Sequence, residues 1–202
     1  MKDLFERVRV IPVLIFPAPE YAAPTAAALI AGGLPVLEVT LRTDTAWQSL
    51  AAIIAAHPEA TVGVGTVLEP EQMIRAKEAG AAFAVSPGFD PALADVARDQ
   101  GLFYLPGVAT ASEVMMARRA GFRFVKFFPA GAAGGTAVLQ SFASPFRDMA
   151  FCPTGGVGAG NFEDYLALPN VACVGGSWVA GAKDMEQGDW QGITAKARAA
   201  VG

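Results

Sequence analysis

Residues 61–86 decide the architecture. Thr61-Val62-Gly63-Val64-Gly65-Thr66-Val67 is a short apolar and β-branched run. Pro70-Glu71 then opens the helical pattern Gln72–Ala79, Gly80 closes it, and a second apolar run follows at Phe83–Ser86. Proline at a first helical turn and glycine just past the last are helix boundary signals. The stretch therefore reads as strand, helix, strand. Strands apolar on both faces and joined by helices belong to a parallel sheet covered on both sides.

The same unit recurs outward in both directions. The apolar runs are Val8–Phe16, Val36–Leu41, Thr61–Val67, Phe83–Ser86, Phe103–Leu105, Phe124–Phe128, Met149–Pro153 and Val171–Val174, eight in all. Helical segments begin after Thr45 (Ala46–Ala56), at Pro91 (Ala92–Gln100) and after Ser112-Glu113 (Val114–Ala120), and Gly101 and Gly121 repeat the closing glycine of Gly80. Eight units in 202 residues predict an α/β fold of the (β/α)₈ TIM-barrel type, a single domain over 1–202. A doubly wound open sheet is the alternative. Its dinucleotide fingerprint is missing, since Gly63-Val64-Gly65 lacks the third glycine and Gly156-Val157-Gly158-Ala159-Gly160 has the wrong spacing. Walker A is missing as well.

Composition narrows the partners. A net charge of −4, from 19 acidic against 15 basic side chains, argues against nucleic acid or an anionic membrane surface. With 53% hydrophobic residues a membrane span must be tested. The charge-free stretch Phe127–Phe146 is cut by Pro129, Gly131, Gly134, Gly135 and Pro145, and Tyr165–Ala182 by Pro169, Asn170, Gly175 and Gly176, so neither reads as a spanning helix. Lys2, Asp3, Glu6 and Arg7 precede the first apolar run, and the two acids do not suit a signal peptide. A cytoplasmic enzyme is expected. Cys152 and Cys173 lack metal-ligand spacing and read as buried, inert thiols.

Polar residues inside strand runs carry the chemistry. In Phe124-Val125-Lys126-Phe127-Phe128-Pro129 a period of two puts Phe124, Lys126 and Phe128 on one face. Apolar rings disfavour the ammonium form and bring a neutral amine, able to form a Schiff base, within reach. A lysine snorkelling from a strand end, or neutralised by a buried acid, is the other reading. In Val36–Thr43, Glu38, Thr40 and Arg42 share a face opposite Leu37, Val39 and Leu41. Glu38 is a candidate general acid/base and Arg42 suits a substrate carboxylate, while an internal Glu38–Arg42 ion pair would merely fill the barrel. Pro153-Thr154-Gly155-Gly156 and Val174-Gly175-Gly176-Ser177 fall at the ends of the seventh and eighth runs. Those loops frequently bind phosphate in such barrels, although glycine marks any tight turn.

Thr66 could offer a hydroxyl to substrate, and Ser86-Pro87-Gly88 and Leu105-Pro106-Gly107 shape the mouth. His57 before Pro58 suits a helix C-terminus, Met115-Met116 reads as helix-core filler, and Trp47, Trp178 and Trp190 read as packing.

Six motifs together resemble the bacterial 2-keto-3-deoxy-6-phosphogluconate (KDPG) aldolases, also called 4-hydroxy-2-oxoglutarate (KHG) aldolases. They are Glu38–Thr43, Gly63–Leu68, Ser86-Pro87-Gly88, Val125–Ala130, Cys152–Gly156 and Gly175-Gly176-Ser177-Trp178, in that order along the whole chain. The resemblance implies a metal-free and cofactor-free class I aldolase, usually homotrimeric, that splits KDPG into pyruvate and glyceraldehyde 3-phosphate in the Entner–Doudoroff pathway, with 4-hydroxy-2-oxoglutarate a second substrate. It implies that Lys126 forms the imine and Glu38 is the acid/base. Arg42, Thr66 and Thr154 would hold the pyruvate end, Gly155, Gly156, Gly176 and Ser177 the phosphate, and Phe128 and Pro87 would line the pocket. Val157-Gly158-Ala159-Gly160 departs from the family's usual Ile-Ser pattern after the glycine pair. Other readings are an aldolase for the galactonate epimer, a phosphate-binding isomerase, or a non-catalytic barrel.

Overall fold

The computed structural model describes Phe5 and residues 8–202. The charged cluster Lys2, Asp3, Glu6 and Arg7 lies outside the described residues. The elements run β1 (Val10–Leu14), α1 (Ala22–Ala31), β2 (Val36–Thr40), α2 (Ala46–Ala56), β3 (Thr61–Gly65), α3 (Pro70–Glu78), β4 (Phe83–Val85), α4 (Pro91–Asp99), β5 (Phe103–Leu105), β6 (Gly107–Val108), α5 (Ala111–Arg119) and β7 (Phe124–Phe127). The chain continues through α6 (Gly135–Ala143), β8 (Ala150–Pro153), α7 (Phe162–Leu166), β9 (Val174–Gly176), α8 (Ala182–Glu186) and α9 (Trp190–Val201).

All strand pairs are parallel, in a six-stranded sheet of order β5-β4-β3-β2-β1-β9 and a three-stranded sheet β6-β7-β8. The fold is α/β with a curled parallel sheet. Two junctions join the sheets. The fifth run is one strand split at Pro106: β5 pairs with β4, β6 pairs with β7, and Lys126 N–H donates to the Pro106 carbonyl at 2.9 Å. Proline has no N–H for the ladder and breaks it there. At the other junction, single parallel bridges link Phe151 to Val171 and Thr154 to Gly175.

Helix boundaries follow the local signals. Gly80, Gly101 and Gly121 take φ of +82°, +59° and +99°, the left-handed caps expected from their positions. Asp90 accepts from Ala92 N–H to cap α4. The cap of α5 is Thr110 rather than Ser112. Its hydroxyl accepts from Glu113 N–H while the Glu113 carboxylate accepts from Thr110 N–H at 2.8 Å, so the reciprocal box starts the helix at Ala111, three residues before Val114. Thr45 precedes α2 but donates its hydroxyl to the Phe16 carbonyl instead of capping. His57 is the C-cap residue of α2, with Nε2 3.0 Å from the Ala23 carbonyl.

Two further expectations need correction. The last strand is Val174–Gly176, not Val171–Val174; Val171 makes only one bridge, while Val174, Gly175 and Gly176 pair with Val10, Ile11 and Pro12. Gly175 and Gly176 are therefore strand residues rather than turn residues. A methyl on Gly175 would press on the Thr154 side chain, and one on Gly176 on the Trp178 ring. Met115 and Met116 are not core filler but are 53% and 46% exposed. Val114 and Ala117 take the buried face of α5, which turns the two residues between them outward.

Strand alternation separates two apolar clusters. Leu37, Val39, Val62, Val64, Val125 and Phe127 pack with the helices, while Ile11, Val36, Phe83, Val85, Leu105, Phe124, Cys152 and Cys173 form an inner cluster. Phe5 joins that inner cluster, its ring 5.1 Å from Phe83 and 5.3 Å from Phe103. Above this apolar floor, toward the C-terminal strand ends, the inward positions turn polar.

Candidate active site

Lys126 on β7 and Glu38 on β2 meet across the interior. Lys126 Nζ lies 3.4 Å from Glu38 Oε1, with both side chains buried. The alternation of β7 places Phe124 in the floor below Lys126, and the Phe128 ring has its centroid 5.2 Å from Nζ above it. Among the described residues the buried ammonium, beside an aromatic face, has one ionic partner, so the lysine is held by an acid that is also a proton acceptor. The Glu38–Arg42 ion pair is not formed among the described residues.

Arg42 instead lies exposed at the rim and donates from Nε to Thr66 Oγ1 at 2.9 Å, its one hydrogen bond among the described residues. Thr66 follows β3 with φ +60°, the only positive φ of a non-glycine residue among those described. A β-branched residue there is strained, and such strain concentrates at functional sites. Thr40, between Glu38 and Arg42, is buried and donates to the Leu14 carbonyl at 2.9 Å.

Thr154 follows β8, buried, with its hydroxyl 3.4 Å from the Cys152 carbonyl. Gly155 and Gly156 follow with φ of +88° and +78°, and the loop beyond is tied by Asn161, which accepts from Gly158 N–H and donates to the Gly156 carbonyl. Among the described residues the N–H groups of Gly155, Gly156 and Ser177 have no backbone acceptor. Gly155 also packs on the Phe128 ring, where a methyl would stand 3.1 Å from Cδ2. The Thr154–Gly175 bridge thus brings both glycine-rich ends to one rim.

Pro87 is half-buried on the neighbouring rim. Its turn is held by Ser86, whose hydroxyl lies 2.5 Å from the Gly88 carbonyl and 2.6 Å from the Tyr104 hydroxyl. Burial drives the Tyr104 phenol up to about 12, against the lowering effect of its hydrogen bond with Ser86. Cys152 and Cys173 are free and buried beneath the site, and a hydrogen bond with Cys152, followed by burial, pushes the Cys173 thiol well up. No group of three His, Cys, Asp or Glu side chains among the described residues is placed to hold a metal ion.

Residues 1–196 match the family model for KDPG and KHG aldolase. The chain belongs to that family. It is 48% identical over 192 residues to the KHG/KDPG aldolase of Escherichia coli K12, covering 95% of this chain and 90% of that protein. It is 45% identical to the 2-dehydro-3-deoxy-phosphogluconate aldolase of Pseudoalteromonas atlantica, over 99% and 93%. Among solved structures, the KDPG aldolase of Legionella pneumophila, with pyruvate captured at low pH as a covalent carbinolamine, superposes with a TM-score of 0.95 at 43% identity, over 98% of this chain and 97% of that one.

Against this family background, three features of the site escape a reading of the sequence. Thr66 adopts a backbone conformation that no local signal announces. Ser86 and Tyr104 pair only because β4 and β5 are neighbours. Gly65, read as half of an incomplete fingerprint, makes room for the Glu38 side chain: a methyl there would overlap Oε1 and lie 2.7 Å from Cγ and Cδ.

Proposed function

We propose that the chain is a class I aldolase that splits KDPG into pyruvate and D-glyceraldehyde 3-phosphate through an imine on Lys126. The observation that carries this reading is the buried Lys126–Glu38 pair. A carboxylate 3.4 Å from Nζ can take the ammonium proton and free the amine. Nζ attacks the C2 ketone, Glu38 passes that proton to the carbinolamine hydroxyl, and loss of water leaves the iminium with Glu38 again a carboxylate. The C4 hydroxyl then gives its proton to Glu38 as the C3–C4 bond breaks, and the bonding pair passes into the iminium to make an enamine. Glyceraldehyde 3-phosphate leaves. Glu38 returns its proton to C3, and water hydrolyses the pyruvate imine, restoring both side chains.

The remaining roles rest on position and chemistry. Arg42 keeps its Nη groups for the substrate carboxylate, with Thr66 and Thr154 beside it. The N–H groups of Gly155, Gly156 and Ser177 offer donors to the phosphate, with Gly176 beside them at the end of β9, and Phe128 and Pro87 wall the pocket. Binding the remote phosphate helps to hold the chain in the reactive geometry. 4-Hydroxy-2-oxoglutarate, which presents the same 2-keto acid and C4 hydroxyl, is the second substrate. The two junctions between the sheets support a single closed (β/α)₈ barrel over 1–202. Among the described residues no helix is long and apolar enough to cross a membrane. We place the enzyme in the cytoplasm as a homotrimer, by family resemblance.

Borohydride reduction with pyruvate present tests the function. Peptide mapping is expected to find the reduced adduct on Lys126 and to find none in Lys126→Met. An unmodified Lys126 in active protein overturns the imine.

A further inference from the structure

We propose that Gly65 is a positioning residue for the reaction, because the missing side chain at this point of β3 is the slot in which the Glu38 carboxylate lies. The inference rests on the acid/base role given to Glu38 above.

Strand register sets up the geometry. Glu38 pairs with Gly63 and Thr40 with Gly65, so the Glu38 side chain leans two residues toward the C-terminal end of β3 and comes to rest against Gly65. The two glycines divide the interior between them. The space at Gly63 is taken by the Phe83 ring, whose Cγ would stand 2.5 Å from a methyl there. That at Gly65 is taken by Cγ, Cδ and Oε1 of Glu38, and Oε1 is the oxygen that faces Lys126 Nζ.

Glycine is needed at position 65 for room rather than for backbone freedom. Gly65 is not among the residues with positive φ, so alanine could adopt its dihedral angles. The strand cannot easily retreat either. The Gly65 carbonyl accepts from Leu41 N–H at 2.8 Å, and two residues on Val67 N–H donates to the Val85 carbonyl at 3.0 Å. An added methyl therefore displaces the carboxylate rather than the backbone. A shift of about an ångström in a proton-transferring group is enough to cost ~10²-fold in rate.

The test is a mutant cycle of Gly65→Ala, Glu38→Ala and the double variant, assayed for kcat and KM on KDPG, for borohydride trapping with pyruvate, and for thermal unfolding. Gly65→Ala is expected to keep imine trapping on Lys126 and to lose ~10²–10⁴-fold in kcat, the range of a lost acid/base. In the Glu38→Ala background the same change is expected to alter kcat by no more than about twofold, the scatter of independent sites, and to leave the unfolding midpoint unchanged, because the atoms it would strike are gone.

Near-parental kcat in Gly65→Ala overturns the proposal, and so does a double variant whose losses multiply. If Gly65→Ala fails to fold, the double variant still decides: a folded protein with the rate of Glu38→Ala supports the slot, and an unfolded one shows that the methyl strikes something else. Failure of the underlying reading is visible separately, as Glu38→Ala cleaving KDPG at the parental rate.

Discussion

Lys126 Nζ sits 3.4 Å from Glu38 Oε1 with 3% and 4% of the two side chains exposed. Removing one member of such a pair leaves the other buried without its counter-charge, which costs stability as well as chemistry. Glu38→Gln keeps the shape and a hydrogen-bonding oxygen but removes both the counter-charge and the proton acceptor, so thermal unfolding is read beside activity. The variant is expected still to trap pyruvate on Lys126, more slowly because water must carry the protons that Glu38 otherwise handles, and to lose ~10²–10⁴-fold in kcat. Steady-state kinetics beside borohydride trapping check this; a near-normal kcat moves the proton transfer elsewhere, and an absent imine makes Glu38 indispensable to imine formation as well.

Stability has its own anchor away from the chemistry. Phe5 is fully buried against Phe83, Phe103 and Phe124, with ring centroids 5.1, 5.3 and 5.7 Å away. It belongs to the apolar floor, so Phe5→Ala is expected to cost about 3–5 kcal/mol, as for large-to-small changes in a packed core. Urea unfolding monitored by circular dichroism measures the loss. Imine trapping in the folded protein should persist, since the lysine lies one layer higher.

The acid limb of stability has a definite contributor. The Asp184 carboxylate accepts from Lys196 Nζ at 2.7 Å and from Gly181 N–H at 3.0 Å, and the lysine first, then the N–H, hold it below the usual aspartate value. A carboxyl depressed in the folded state stabilises above its unfolded pKa of about 3.9, and loses that contribution as pH falls through the lower folded value. Asp184→Asn is expected to cost about 0.5–1 kcal/mol near neutrality, the scale of a partly exposed pair with a helix cap. The difference from the parent should stay constant down to about pH 5 and shrink below pH 4. Thermal melts across that range check it, and a difference that grows in acid contradicts it.

What the sequence disclosed, and what it hid, divides along one physical line. Period-two alternation separated Lys126 from Val125 and Phe127, and Glu38 from Leu37 and Val39, because alternation is a local property of any strand. Pro91 and Gly101 located α4 in the same way, as local boundary signals. The Lys126–Glu38 contact spans 88 positions and depends on how far the sheet curls, which no local pattern records. Val171–Val174 is misplaced because four apolar residues look like a strand, whereas the partners of β1 on the edge away from β2 are Val174 and two glycines with no side-chain signature. Thr66 was legible as a hydroxyl near the site, but its left-handed backbone was not, since threonine is a poor choice there on propensity alone.

The phosphate assignment is tested last, because it rests on backbone N–H groups that cannot be deleted one at a time. Ser177 is exposed at the end of β9, beside Gly176 and across the Thr154–Gly175 bridge from Gly155. Ser177→Asp places a carboxylate among these donors, where it competes for them and repels a dianionic phosphate. 4-Hydroxy-2-oxoglutarate carries no phosphate and should be affected less. Measured on both substrates, kcat/KM is expected to fall at least tenfold more for KDPG, a difference of ~1.4 kcal/mol in transition-state binding. Equal losses would mean that the change damages the barrel mouth in general, and the phosphate would then have to be sought elsewhere along the rim. Raising the salt concentration adds a control: repulsion at an exposed rim is screened over about 10 Å at 0.1 M, so the selective loss should narrow with ionic strength, while steric damage should not.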